Sequence, residues 1–476
     1  MSQVKENKMG TTPIFKLLIS MAIPMIISML IQSLYNVVDS IFVGKYSNDA
    51  LTALGLAFPM QNLIIAMSTG IGVGINATLS KSLGEKNTTK ASLSAVNGCI
   101  IMFFIYLIFV VIGLTCIPTY MKMLSSNETI ISYGVTYLKY IVLGSFFVLF
   151  SITFERLLQA VGKTVHVMIA QATGTVVNII LDPILIFGLL GCPAMGVDGA
   201  AIATLIGQFA SFTVGLLLNI FCNKEIHYNS KTLKVDFRMI KEILIIGLPS
   251  AVMSAISSVL TFLMNKVLLS FYDVNIPGTN QNYGELPQTV YGLYFKLNSL
   301  FFMPIFGMNN ALVPIVAYNY GARNKEKMMK AMKYALMVVF GMMLVGTLLF
   351  LLIPNQLLAI FAENDDIAYQ LALVGAPCLR IISSSFLIAA FCIIIMSMFQ
   401  ALGNGFYSMI CSITRQLVVL LPAAYLLSLT KNLNLVWLSF LIAEIVAIIL
   451  SAFLFKKLYN DRIKPLDNPD KIKEFA

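Results

Sequence analysis

Two acids stand where acids are costly. Asp39 lies in the run Tyr35-Asn36-Val37-Val38-Asp39-Ser40 and Asp182 in Asn178-Ile179-Ile180-Leu181-Asp182-Pro183, each within an apolar stretch long enough to cross a bilayer. A charged side chain near the bilayer centre costs about 2.5–3.5 kcal/mol on insertion scales, so such residues face a polar cavity and point to function. Asn178 and Asp182 are four apart, hence on one helix face, where they offer an amide oxygen and a carboxylate to one ligand. Two carboxyls brought together can take up a proton; with an amide and a hydroxyl they suit sodium equally, and the residues leave H+ and Na+ both open. The plainer role for either acid is a buried partner or cap, since Pro183 frees a backbone carbonyl that Asn178 or Thr175 can engage.

Other intramembrane charges carry less. Arg415 and Glu444 lie at similar distances from the turn near Lys431, which predicts a structural salt bridge. Glu155 and Arg156, near the inner end of their span, read as a solvated or gate-stabilising pair, while Lys296 and Arg380 oppose cationic cargo unless paired. Gln32, Tyr35, Asn36 and Met60 share the outer halves of the first two spans with Asp39 and are the candidates to line a substrate cavity. The 26 methionines and 32 phenylalanines could make such a cavity soft and repackable, although most must face lipid or packing partners.

Several chemistries are excluded. The cysteines show no CxxC pairing and sit mostly in apolar runs as small packing residues, and His166 and His227 stand alone, so no metal-ligand spacing exists and no cofactor is expected. Gly70-Ile71-Gly72-Val73-Gly74 follows no strand and opens no helix, which leaves close helix packing or bending as its role. Gly162-Lys163-Thr164 resembles the tail of a phosphate loop, but Leu157 stands where the first glycine is required. Without a Walker motif the chain lacks its own ATPase and must use an ion gradient, borrow a partner or run downhill.

The elements that position these residues are membrane helices. With 58% hydrophobic and 11% charged residues and a mean hydropathy of +0.85, the chain has too little charge for a soluble protein of its length. Twelve apolar runs reach bilayer length, at about 15–43, 51–80, 91–117, 129–158, 165–190, 197–222, 239–271, 286–318, 328–353, 367–400, 406–429 and 433–457. They lack the alternation of a β-barrel. Their punctuation repeats: Gly55, Leu56, Phe58, Gly70, Gly84, Asn87 and Lys90 recur as Gly292, Leu293, Phe295, Gly307, Gly321, Asn324 and Lys327. Ala22-Ile23-Pro24 is echoed by Gly247-Leu248-Pro249, and Gln159-Ala160-Val161-Gly162-Lys163 by Gln400-Ala401-Leu402-Gly403-Asn404. Six spans per half return each half to one side, so the fold predicted is an all-α polytopic membrane protein of two parallel six-helix repeats, with a site between the lobes.

The expected organisation is a cytoplasmic N-terminus at 1–14, a first lobe at 15–222, a linker at 223–238, a second lobe at 239–458 and a cytoplasmic tail at 459–476. Basic residues set the orientation. Lys5, Lys8 and Lys16, then Lys81, Lys86 and Lys90, the linker with Lys224, Lys231, Lys234 and Arg238, and the turns after spans eight and twelve carry them, which holds both termini inside. The net charge of +10 is therefore topology, not a nucleic-acid footprint. The first apolar run is too long for a cleavable signal and starts at Thr11-Thr12-Pro13 as a retained helix. Asp273 to Gln288 forms a longer outer loop than the first half has.

Taken together, Tyr35-Asn36-Val37-Val38-Asp39-Ser40-Ile41-Phe42-Val43-Gly44, Ala53-Leu54-Gly55, Gln159-Ala160-Val161-Gly162, Asn178-Ile179-Ile180-Leu181-Asp182-Pro183 and Met195-Gly196-Val197-Asp198-Gly199-Ala200-Ala201-Ile202-Ala203-Thr204 resemble the multidrug and toxic compound extrusion (MATE) family, on its MepA-like bacterial branch. The resemblance spans nearly all of residues 12 to 458. It implies alternating access and export of cationic or aromatic drugs by antiport against H+ or Na+, with antibiotic resistance as a consequence. It further implies a monomer in the bacterial inner membrane, a cation-coupling site of Asp39, Asn178, Asp182 and Thr204, and bending of the first helix at Pro24. Relatives that bind the cation on helices seven and ten use acids there. Here helix seven carries Asn265 and Lys266 and helix ten carries Arg380, which argues against a second-lobe site. A lipid-linked sugar flippase of the same superfamily is the alternative, but it should line its cavity with arginines.

Overall fold

A chain with no water to satisfy its backbone closes its hydrogen bonds along its own axis. The computed structural model describes residues 7–226, 232–276, 281–362 and 365–467, and among them one isolated bridge, Asn275 to Asn282, is the only β-type pairing. A short helix α1 (Lys8–Thr11) precedes α2 (Ile14–Tyr46), α3 (Asn48–Gly84), α4 (Thr88–Leu124), α5 (Glu128–Leu143), α6 (Ser145–Ala160), α7 (Thr164–Phe187) and α8 (Val197–Cys222). Then come α9 (Phe237–Leu269), α10 (Leu286–Gly321), α11 (Lys325–Leu352), the short α12 (Pro354–Ala359), α13 (Asp365–Ser383), α14 (Phe386–Ala401), α15 (Gly405–Ile413), a π-helical turn (Thr414–Leu420), α16 (Leu421–Ser428) and α17 (Leu433–Leu458). Among the described residues, ten helical stretches are long and apolar enough to cross a bilayer, and up to twelve if each bent pair is one span.

The bent pairs are α5 with α6, at 45°, and α13 with α14, at 48°. Both breaks fall inside runs that the sequence predicts as single spans. At the breaks Ser145 donates its hydroxyl to the carbonyl of Val142, and Ser383, Ser384 and Ser385 donate to Arg380, Ile381 and Ile382, so side chains occupy carbonyls at both bends. Expectations for Lys5, His227, Asn229, Ser230, Lys231, Pro277 and Gly278 lie outside the described residues.

The sequence echoes become structural ones. Asn87 and Asn324 cap α4 and α11 by accepting from the backbone N–H of Lys90 at 2.9 Å and Lys327 at 3.0 Å. The residues before them, Lys86 and Arg323, share a left-handed backbone with φ of 57° and 56°. Asp236 caps α9, accepting from Arg238 and Met239, and Asn97 of α4 pins the linker by accepting from Asp236 N–H at 2.8 Å and donating to the Lys234 carbonyl at 3.1 Å.

The two halves meet through glycines. A Cβ on Gly70 would lie 2.3 Å from the Ala251 nitrogen, and one on Gly74 would lie 2.3 Å from the Ile243 carbonyl oxygen, so α3 packs backbone to backbone on α9. Gly307 of α10 presses likewise on Ile26 of α2, 2.7 Å from its nitrogen. Polar bonds join the halves along the seam: Asn62 to Ser258 at 2.6 Å, two turns from Gly55, and at the other end Lys90 to Glu242 at 3.3 Å and the N-terminal wedge, where Met9 is fully buried and Asn319 donates to its carbonyl at 3.5 Å. At the far ends of α3 and α10 the contact is lost. Gly55 lies roughly eight turns from Gly84 and so on the same face, yet a Cβ on Gly55 or on its repeat Gly292 meets nothing within 4 Å. The halves are closed at the end that carries the N-terminal helix and spread at the other.

Candidate functional site

The first half buries a polar pocket between α7 and α8. Asn178 and Asp182 project from one face of α7 and Thr204 faces them from α8; all three are buried, with Asp182 completely so. Gly207 lets the helices approach this closely, since a Cβ there would lie 2.8 Å from the Asn178 Cβ. The Asn178 amide donates to Asp182 Oδ1 at 3.5 Å and to Thr204 Oγ1 at 3.4 Å, while the Thr204 hydroxyl donates to the Ala200 carbonyl at 2.9 Å. Asn178 is thus turned toward its neighbours across the pocket rather than toward the carbonyl that Pro183 frees.

What remains is chemically specific. Asn178 Oδ1 and Asp182 Oδ2 are buried and accept no hydrogen bond. Two bare acceptor oxygens from an amide and a carboxyl, beside the Thr204 hydroxyl oxygen, fit a small cation or a proton, because leaving acceptors unsatisfied in a buried place costs about 1–3 kcal/mol each. Asp39 of α2 is half-buried and close enough to add its charge to that of Asp182. Tyr137 of α5, absent from the sequence-derived set, lies within electrostatic reach of both acids and donates to Gln61 of α3 at 3.4 Å. No motif in the sequence marks it.

The other predicted residues fall nearby or apart. Gln32 is exposed and Met60 half-buried, while the side chains of Tyr35 and Asn36 lie outside the described residues. Pro24 is buried inside α2, which runs on through it unbroken. Among the described residues no group of three or more His, Cys, Asp or Glu could hold a metal ion. The groove lined by Glu85, Lys90, Arg238 and Glu242 lies at the closed end, away from Asp39, and holds none of the site residues.

Glu155 and Arg156 correct an expectation. They are neither solvated nor paired: both are buried, at 6% and 8% exposure, and consecutive helical positions turn them apart. Arg156 donates to Gln159 at 2.8 Å and across to Asn310 of α10 at 2.9 Å, while Glu155 points into its own half. Arg415 and Glu444 do form the expected salt bridge, at 2.9 Å. Arg380 is exposed and donates through Nε to the Leu351 carbonyl at 3.3 Å, at the end of α11 where carbonyls lack helical partners, and Lys296 is exposed.

Comparison with known proteins places this architecture. The MatE family model matches residues 24–184 and 249–426. The multidrug export protein MepA of Staphylococcus haemolyticus (strain JCSC1435) is 28% identical over 451 residues, 94% of either chain, and MepA of Staphylococcus aureus (strain MSSA476) is 26% identical over 453 residues, 95% of either chain. A solved outward-facing conformation of a multidrug resistance MATE family transporter of the MOP superfamily matches with a TM-score of 0.87 at 27% identity, covering 98% of this chain and 100% of that one.

Proposed function

The chain belongs to the MatE family, and from that premise we propose that it is a multidrug efflux transporter that exports organic cations and aromatic drugs in exchange for H+ or Na+. The observation that carries this reading is the pair of unpartnered buried oxygens, Asn178 Oδ1 and Asp182 Oδ2, next to the charge of Asp39. A cation entering from the spread end would satisfy both, and a cationic drug would compete for the same negative region. Binding of either then favours release of the other, and exchange needs no ATP. The lobes at 15–222 and 239–458 would rock about the glycine-packed interface, with Gln32, Tyr35, Asn36 and Met60 toward the drug. The acidic first-lobe pocket does not favour a lipid-linked sugar flippase, whose pyrophosphate calls for arginines.

The basic turns at the closed end argue for both termini cytoplasmic, which makes this conformation outward-open, and the bacterial relatives support an inner-membrane location, where the chain would act as a monomer without an ATPase partner. Cysteines at Lys86 and Lys325 should accordingly be labelled only from the cytoplasm; labelling from outside intact cells would sink this orientation. The decisive test of function is dye efflux from proteoliposomes under separately imposed proton and sodium gradients. Asp39→Asn and Asp182→Asn should each abolish gradient-driven efflux while leaving weakened dye binding that no longer depends on pH or sodium. Folded variants that still concentrate dye would overturn the assignment.

A further inference from the structure

A third carboxyl lies deeper in the first lobe, beyond Asp39 and Asp182, and the exchange of drug and cation at those two acids does not use it. Glu155 of α6 is held by Gln171 of α7, whose amide donates to Oε2 at 2.7 Å, and by Ser151, whose hydroxyl lies 3.3 Å from Oε1 and 2.8 Å from Ser211 of α8. The chain of bonds continues outward, because the oxygen of Gln171 accepts from the hydroxyl of Ser28 on α2. Four helices therefore converge on one acid. Their polar faces continue those of the cation pocket: Gln171 lies seven residues before Asn178, Ser211 seven after Thr204, and Ser28 eleven before Asp39, all near-integral numbers of turns. Eleven residues of helix is about 16 Å, too far for Glu155 to be a ligand of the Asp182 site.

The surroundings define what this group can bind. Arg156 is the charged residue that reaches Glu155 electrostatically, and its guanidinium is committed to Gln159 and Asn310. The helices packed around α6 carry their other charges elsewhere: Asp49 and Lys81 at the ends of α3, Lys90 and Lys122 at the ends of α4, Glu128 and Lys139 on α5, His166 and Asp182 on α7, Asp198 at the start of α8, and Lys296 on α10. Gln171 turns its N–H, not its oxygen, to the carboxylate. A sodium site would need the reverse, so a proton is the cation that fits.

Resting on the proposed exchange at Asp39 and Asp182, we infer that Glu155 is a second proton-binding site of the first lobe, separate from those two acids and linked to helix α2 through Gln171 and Ser28. While Ser28 is docked, Gln171 is oriented to donate to the Glu155 carboxylate and sustains its charge. When α2 moves, Gln171 is free to turn, the carboxylate loses a charge-assisted bond, and it takes up a proton on one oxygen; redocking of Ser28 releases that proton. By linkage, protonation of Glu155 loosens α2 as much as movement of α2 favours protonation. Ser28 lies four residues past Pro24, where a bend would displace it, and Glu155 lies five residues, about 8 Å, from the end of α6 at the closed end.

The test is the pH profile of ethidium exchange by full-length protein in proteoliposomes, in sodium-free choline buffer. Ser28→Ala leaves Glu155 in place but unclamps Gln171, so its profile should move to higher pH by about one unit, a tenfold gain in proton affinity. Glu155→Gln should remove one pH-dependent step while still exchanging dye, and should lower the number of protons released per ethidium bound. Wild-type profiles and proton counts in folded Ser28→Ala protein would overturn the inference, even where Glu155→Gln fails to fold. If Asp39→Asn and Asp182→Asn lose driven efflux while Ser28→Ala and Glu155→Gln match wild type, only this inference falls. If Asp39→Asn and Asp182→Asn still concentrate dye, the exchange reading falls with it.

Discussion

Gly84 and Gly321, equivalent positions of the two repeats, press on each other's helices: a Cβ on Gly84 would lie 1.9 Å from the Tyr318 carbonyl oxygen, and one on Gly321 would lie 2.1 Å from that of Lys81. The contact is reciprocal, as a two-fold relation between parallel repeats requires. Backbone cannot give way as a flexible side chain does. Gly84→Val and Gly321→Val should each pry the closed end apart and raise thiol labelling of a cysteine at Met9, fully buried at that end, by roughly tenfold, a shift of about 1.4 kcal/mol in the opening equilibrium. Gly55→Val and Gly292→Val should leave labelling unchanged. Equal effects at all four positions would mean that the glycines do not gate the interface.

These glycines show how the sequence was legible and where it stopped. Membrane helices announce themselves by length and apolarity, and Gly84, Asn87 and Lys90 repeat as Gly321, Asn324 and Lys327 because each copy must make the same turn and cap. Asn178 and Asp182 were readable because a spacing of four fixes a shared face. Thr204 came only through family resemblance, and Tyr137 not at all, since no local pattern says which residue of α5 will face acids on α2 and α7. Glu155 and Arg156 were misread for the same reason: adjacency in sequence suggested a pair, and helical divergence of about 100° per residue separated them. Gln171 could have been found from its spacing of seven to Asn178.

Arg415 and Glu444 form an ion pair at 2.9 Å, with Arg415 Nε and Glu444 Oε2 left without partners. Removing one charge strands the other. Glu444→Gln should therefore lower thermal stability, by about 3 kcal/mol if the pair behaves as a buried one, and the double variant Arg415→Met with Glu444→Leu should recover most of it. Ion-driven efflux per folded molecule should be unchanged. Loss of coupling at full stability would make Glu444 part of the transport chemistry.

Outside the membrane, Asn7 donates to Glu225 at 2.5 Å, fastening the start of the wedge to the first residues after α8. Burial pushes the Glu225 carboxyl above its ordinary value, against the opposing pull of Asn7, Lys163 and Lys8, while burial lowers Lys8. A raised acid binds its proton more tightly in the docked form, so this contribution to docking is full below the undocked pKa and is lost as pH rises through the raised one. Lys8 has the opposite sign and acts at the alkaline end. From acid toward neutral pH, hydrogen-exchange protection of residues 7–12, corrected for intrinsic rates, should fall in the wild type and stay level in Glu225→Gln. A wild-type curve that is also level would remove Glu225 from control of the wedge.

Pro24 denies α2 the backbone bond to the Ser20 carbonyl beside the tight contact of Ile26 with Gly307, and both Ser28 and Asp39 lie beyond it. Pro249 does the same in α9, but beyond it lies Ser258, bonded to Asn62, and no acid. A bend at Pro24 would thus move one residue of the pocket and one of the Glu155 network together, whereas a bend at Pro249 would move neither. Pro24→Ala restores a bond worth about 1 kcal/mol to the straight helix, which should slow exchange several-fold while dye affinity stays within about twofold. Pro249→Ala should slow exchange less. The measurement is the rate of dye exchange beside equilibrium dye binding for each variant, and equal slowing by the two substitutions would strip the first-lobe helix of the hinge role assigned to it.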